Sequence, residues 1–476
     1  MWYIGCRGHA LAGPPEPCPD PEIAAIQPEL LAYHYKMAGM NDPAVDYWHK
    51  AGRHAMAHSA HSEAIAFMGE ALACLNTLPD TASRYQKELH IQIDLGLAFQ
   101  TAKGFAASEA KQSYLRARSL CQQLGETAQL FPILFGLWRV ALSGAKLHAA
   151  RDMGTQCLDL AQRQSDPERL MWGHWALGQS LFFLGDFIAA HTHLTEASAL
   201  YDPKQDRSSS VTDPEATCMS YLAMALWFLG YPNQAMALSR AALARSEELD
   251  YPFKRITTLN WSCIMHHLHR DMHITQILAE TAVALCQKHS FSSRLSVSHI
   301  HLGWALAAQG QGEKGITLIH QGLTGWQDAG TKNALPFLLC MLAEAYHASG
   351  QCHEGLAIAN EALMLVDQYS ERWYEAELHR IQGELLLSQS EEHDLVAESY
   401  FHQAISIAHD QHAKSWELRA ATSLAKLWQS QHKRQEAYDL LAPVYNWFTE
   451  GFDTADLIEA KSLLGELCVA RGGPLF

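Results

Sequence analysis

The residues in this 476-residue sequence best able to do chemistry are its 27 histidines and 11 cysteines. Two sets of histidines fall at helical spacing: His54, His58 and His61, then His266, His269 and His273. Residues three or four apart share one face of a helix, where neutral imidazoles can hold a transition metal. Cys263 and Asp271 lie near the second set, yet no spacing forces either to converge with the imidazoles on one ion, so solvated or packing histidines are expected. The cysteines run from Cys6 to Cys468 with no CxxC pair, which suits buried thiols in a reducing cytoplasm better than a disulfide frame or a zinc site. Gly310-Gln-Gly312-Glu-Lys-Gly315 spells the dinucleotide fingerprint GxGxxG. That motif works only where a strand leads into a helix whose N-terminus meets pyrophosphate, and here it falls on a helix-helix turn. No GxxxxGK[ST] loop, HExxH site or GxSxG elbow occurs. An enzyme with its own active site is therefore not expected, and no cofactor or metal is assigned.

The elements that would position any site are clearest from Gly173 to Ala197, which reads as two amphipathic helices joined by a turn at Leu184-Gly185-Asp186. Small residues (Gly178, Ala190, Ala197) stand where the helices must cross closely, and Leu177, Leu181 and Leu194 fill the space between. This resembles one hairpin of the tetratricopeptide (TPR) kind. The late small residue of the second helix recurs as Ala117, Cys157, Ala197, Ala242, Ala282, Gly322, Ala362, Ala404 and Val444. Those positions are 40, 40, 45, 40, 40, 40, 42 and 40 residues apart. Gly185, Gly230, Gly310 and Gly350 lie twelve residues before the slot, with Arg270 in place of the missing member. Polar insertions, Pro203 to Asp213 and Ser388 to Asp394, account for the two longer intervals. The fold class expected is all-α: a TPR-like solenoid, about ten hairpins with a period of about 40 residues, stacked in a right-handed superhelix.

Composition agrees. Hydrophobic residues make up 48%, Pro is low at 17 and β-branched runs are scarce, which favours helix over sheet. The formal charge of -16, without a basic stripe, argues against a nucleic-acid partner. Met1 to Pro19 lacks a sustained apolar core, and the longest apolar run, Tyr221 to Tyr231, is too short for a bilayer. The expected organisation is an irregular leader over 1–20, the repeat domain over 21–468 and a disordered tail over 469–476, in the cytoplasm and off the membrane. Asn41-Asp42-Pro43 reads as a capped helix start, and Thr454 to Cys468 as a closing helix.

In TPR hairpins the first helices line a concave groove. By that phase Trp172, Trp175, Phe182, Met224, Trp227, Asn260, Ile264, His267 and Trp304 are candidate ligand contacts. The alternative is that these side chains pack against the adjacent hairpin. Two classes of function stay open: a scaffold that binds a protein or peptide in the groove, and a solenoid whose tryptophans wall a small-molecule inducer pocket.

The segments Pro28 to Met56 and Leu441 to Leu464 carry a more specific resemblance. They are similar to the two borders of the C-terminal TPR region of bacterial signalling proteins built from a class III adenylate/guanylate cyclase domain, a STAND-type AAA ATPase and a TPR array. The resemblance implies an inducer-sensing, autoinhibitory role, with a STAND ATPase or cyclase as a candidate partner. It assigns no catalytic residue here, because the phosphate loop and cyclase motifs are absent from this sequence. The chain then reads as a sensor module or a piece of a longer ATP-binding, cyclase-like protein.

Overall fold

The computed structural model describes residues 27–58, 60–125, 128–202, 213–248, 251–289 and 291–469. The leader expected over 1–20 lies outside them. So do most of the Pro203 to Asp213 insertion and all of the expected tail but Val469, the last residue of the final helix. Among the described residues there are twenty-two α-helices and no strand. The chain divides into two compact units, 1–98 and 99–476.

The first unit holds α1 (Pro28–Met37), α2 (Asn41–Ala57), α3 (His61–Leu75) and most of α4 (Ala82–Lys103). Helix α2 begins at Asn41 with Met40 at the cap position, so the anticipated Asn41 cap does not form. Instead the Asn41 amide donates to Thr77 Oγ1 at 2.8 Å. Tyr35 stacks on Tyr47 at 5.4 Å, and Lys87 bridges Asp42 and Asp46.

The second unit continues with α5 (Ser108–Leu124), α6 (Leu130–Ser143), α7 (Leu147–Gln164), α8 (Pro167–Phe183), α9 (Phe187–Leu200), α10 (Pro214–Phe228) and α11 (Pro232–Glu248). After these come α12 (Pro252–Leu268), α13 (Met272–His289), α14 (Ser292–Ala308), α15 (Gly312–Asp328), α16 (Leu335–Ala348) and α17 (Cys352–Tyr369). The last are α18 (Glu375–Leu387), a 3-10 turn (Glu391–His393), α19 (Asp394–Asp410), α20 (Lys414–Ser430), α21 (Arg434–Asn446) and α22 (Ala455–Val469). Counted along the chain from α2 to α21 these make ten hairpins.

The α8/α9 hairpin shows why the sequence folds this way. Asp166 caps α8 by accepting from Arg169 N at 3.1 Å, and Pro167 presets the first turn. Gly185 turns the chain at φ +84°, and Asp186 caps α9 through Ala189 N at 3.1 Å. A Cβ on Gly178 would meet Leu194 Cγ at 2.8 Å, so only glycine lets the helices cross there. The periodic slot is buried from Ala117 to Ala404, and Val444 alone is partly exposed. Its companion turn position adopts positive φ at Ala145, Gly185, Gly230, Arg270, Gly310, Gly350 and His432. The GxGxxG stretch is such a turn followed by the start of α15, as helix-helix packing requires.

Within this unit successive superhelical turns touch. Lys332 N donates to Ser143 O and Arg372 N to Phe183 O, both at 2.9 Å, while Ser415 Oγ donates to Trp227 O at 2.5 Å. The bonded positions are 189, 189 and 188 residues apart. Each time, the turn inside one hairpin meets the start of the fifth hairpin after it. The axis that an open solenoid leaves as a groove is filled by rings. Phe182 lies 5.2 Å from Trp373, Trp373 5.0 Å from Phe337 and Tyr374, Tyr374 5.1 Å from Trp416, and Trp416 4.8 Å from Trp227. Such pairs each add roughly 0.5–1.5 kcal/mol beyond the area they bury.

Candidate functional site

Of the nine side chains that the repeat phase assigns to the concave face, eight are buried and Trp172 is partly buried. Phe182, Met224, Trp227 and Ile264 belong to the main apolar core, and Asn260 Oδ1 accepts from Ser298 Oγ at 2.9 Å. Trp172 and Trp175 meet edge to face at 5.4 Å, beside a void of ≈ 10 Å³ that also touches Tyr201 and Cys218. That is room for about one water. His267 and Trp304 are the two that reach a larger space.

That space is a cavity of ≈ 430 Å³ near the C-terminal end of the superhelix. Its wall is built from one stripe on each first helix. Helix α12 gives His267, α14 gives Trp304 and Ala308, and α16 gives Glu344, His347 and Ala348. Residues 377, 380, 381 and 384 of α18 and 419, 422, 423 and 426 of α20 each follow the one-face spacing of a helix. Arg270 closes one side from its turn, and α22 contributes Asp456 and Glu459.

The charges are paired in layers. His267 Nε2 and Trp304 Nε1 both contact Glu344 Oε2, at 2.8 and 2.7 Å, with the two rings 4.3 Å apart. Burial alone would push the Glu344 carboxyl up, but His267 outweighs it and holds it below the usual range. Deeper in, Arg380 forks onto both oxygens of Glu377 at 2.8 Å, and Arg419 Nη1 reaches Glu377 at 3.4 Å. Burial opposes ionisation of Glu377 as well, yet the two guanidiniums keep it well below the carboxylate range. Arg419 also donates to Asp456 at 2.8 Å and to Leu268 O, stacking over Trp227 and Trp416. One buried side chain thus ties α12, α18, α20 and α22 together.

Repeat arithmetic reaches further than the residues assigned from sequence. The series Met224, Ile264, Trp304 continues at the same 40-residue step to Glu344 and Glu384, and two steps from His267 is His347. All four of His267, His347, Glu344 and Glu384 line the cavity. The aromatic types drew the sequence reading toward one end of the series, whereas its charged end forms the opening. None of the six histidines of the two sets is among the residues that line this site. The His54 and His58 rings lie 4.4 Å apart, tilted by 44°, and burial drives His269 down to about 4. Among the described residues no group of three His, Cys, Asp or Glu has the geometry to hold a metal ion, and no helix is long and apolar enough to cross a membrane.

Comparison with known proteins agrees with this geometry. The tetratricopeptide repeat model matches residues 171–195, the α8/α9 hairpin. An uncharacterized protein of Rhizobium meliloti (strain 1021) is 25% identical over 414 residues, covering 85% of this chain and 40% of that protein. The chain therefore spans well under half the length of that relative. A Rap protein solved in complex with competence and sporulation factor superposes with a TM-score of 0.51 at 12% identity, over 81% of this chain and 100% of the other. The Rap conjugation gene regulator of plasmid pLS20, solved with the Phr* peptide, gives a TM-score of 0.48 at 10% identity, over 81% and 98%. The chain is an all-α, TPR-like helical solenoid.

Proposed function

We propose that this chain is a non-enzymatic sensor scaffold that takes a short peptide into the charged cavity at the C-terminal end of the superhelix. The observation that carries the reading is the wall itself: α12, α16, α18, α20 and α22 turn polar side chains toward one space of ≈ 430 Å³, which α14 closes with Trp304 and Ala308. That volume lies within the range of ligand pockets. Elsewhere the same face of these helices is filled by apolar rings, so the polar stripes are not what packing alone selects. The Rap protein that shares the fold is complexed with competence and sporulation factor, which supports an architecture that receives a ligand.

The resemblance to cyclase and STAND ATPase signalling proteins supports reading the solenoid as the sensing part of a larger switch. A small-molecule inducer is the second reading. It draws on Trp304, whose ring lines the cavity.

Selection of displayed random peptides on the full chain tests the proposal. Ala308 and Ala348 are exposed at the cavity wall, so Ala308→Trp and Ala348→Trp fill it without disturbing the core. Selected peptides are expected to lose at least roughly tenfold in affinity for either variant, about 1.4 kcal/mol. Peptides that bind the filled variants as well as the parent place the site elsewhere and refute the reading.

A further inference from the structure

We propose that the cavity selects ligands bearing a carboxylate, which binds by replacing Glu459 between Arg270 and Lys426, so that occupancy loosens helix α22. The inference rests on the cavity being the ligand site.

Helix α22 is held in two different ways. Its apolar face, with Leu457, Ala460, Leu463 and Leu467, packs against the core formed with α20 and α21. Its polar face offers Asp456 and Glu459, one helical turn apart. Asp456 is largely buried and fixed by Arg419, which is itself bonded to Glu377 and Leu268 O. Glu459 is the exchangeable member. It accepts from Arg270 Nη1 at 2.5 Å and from Lys426 Nζ, and those two cations are 48% and 50% exposed. Burial works against the charge on Glu459, but Lys426 and Arg270 hold its carboxyl at about 2, which marks a strongly anion-favouring spot.

The position of Arg270 gives the second observation. It occupies the turn slot where four other repeats carry glycine, at φ +59°. A side chain there carries backbone strain that glycine avoids, and this one spans to α22 and touches both of its carboxylates.

Exchange of one carboxylate for another leaves the charge of the site unchanged and the two cations paired throughout. An incoming ammonium has no comparable place. Glu344, Glu377 and Glu384 each already accept from protein donors, and an ammonium at the opening would meet Arg270 and Lys426. Because Arg270 and Lys426 are about half exposed, solvent screens their pairs with Glu459, and a free carboxylate can compete for the same two cations.

The test uses the full chain with Ac-Glu-Glu-Glu-NH2 and Ac-Lys-Lys-Lys-NH2 as probes, measured by calorimetry and by hydrogen exchange over residues 455–469. The acidic probe is expected to bind and to speed exchange in that segment. Glu459→Gln should tighten it by up to roughly fivefold, because the internal competitor is gone. Arg270→Gly, which restores the residue usual at that turn, and Lys426→Met should each weaken it by a similar factor. If the basic probe binds instead and Ala348→Trp blocks it, the cavity reading stands and the carboxylate reading fails. Acidic binding that is indifferent to Glu459→Gln and Arg270→Gly overturns the exchange as well. If neither probe nor any selected peptide binds, the cavity itself is not the ligand site.

Discussion

Glu371 provides the sharpest test of how the core is held. Its side chain is fully buried just before α18, with both oxygens accepting from Ala334 N at 2.9 and 3.0 Å and one also from Trp373 Nε1 at 2.8 Å. Burial pushes its carboxyl up, against the pull of the Trp373 and Ala334 donors, to about 8. The folded chain therefore keeps this proton while the unfolded chain has released it, so stability falls as pH rises from the ordinary carboxylate range to about 8. The slope is about 1.4 kcal/mol per pH unit, or about 1 kcal/mol between pH roughly 7 and 8. Other buried groups act outside that window. His269 and His301 are depressed by burial to about 4 and about 3, so they weaken the fold only below the ordinary histidine range. Cys157 and Cys218, raised by burial to about 12, act only at higher pH, above the ordinary thiol value. Glu371→Gln keeps an acceptor oxygen for both donors and removes the proton. Urea unfolding followed by tryptophan fluorescence across pH 7 to 8 should show the wild-type loss and a flat variant. A flat wild type, or a variant with the same slope, refutes the reasoning.

Trp416→Ala breaks the ring column where Trp227, Tyr374 and Phe228 meet it at 4.8 to 5.5 Å, and should cost roughly 3–5 kcal/mol. Circular dichroism and urea titration would detect this, and parental stability in the variant would mean the column does not hold the turns together. His432 sits exposed at φ +61° in the turn slot that elsewhere carries glycine. His432→Gly should raise the melting temperature through a gain of up to about 1 kcal/mol. A lower melting temperature would show that the imidazole is held by its neighbours.

Much of the architecture was legible because a repeat writes the same packing constraint many times. The slot from Ala117 to Ala404 and the turn from Gly185 to Gly350 are local consequences of two helices crossing, and local rules suffice to read them. What the sequence did not reveal is pitch. The inter-turn bonds join Phe183 to Arg372 and Trp227 to Ser415, and no short-range pattern announces a partner so far along the chain. That is why Phe182, Met224 and Trp227, expected on the concave face, lie among other rings, while Glu344, Glu384 and Arg419 line the open part. Arg270 was visible as an exception to the glycine rule, but its reach to α22 depends on the pitch too.

The contact between superhelical turns also bears on how such a chain can change in evolution. In an open array, loss or duplication of one hairpin leaves every remaining neighbour in place. Here, deleting the hairpin of α14 and α15, which lies between Leu268 and Lys332, would offset Ser143, Phe183, Trp227 and Leu268 from their partners by one whole hairpin at once. The number of repeats within the closed turn is thereby fixed as firmly as any buried side chain, and variation in length is confined to the flanks.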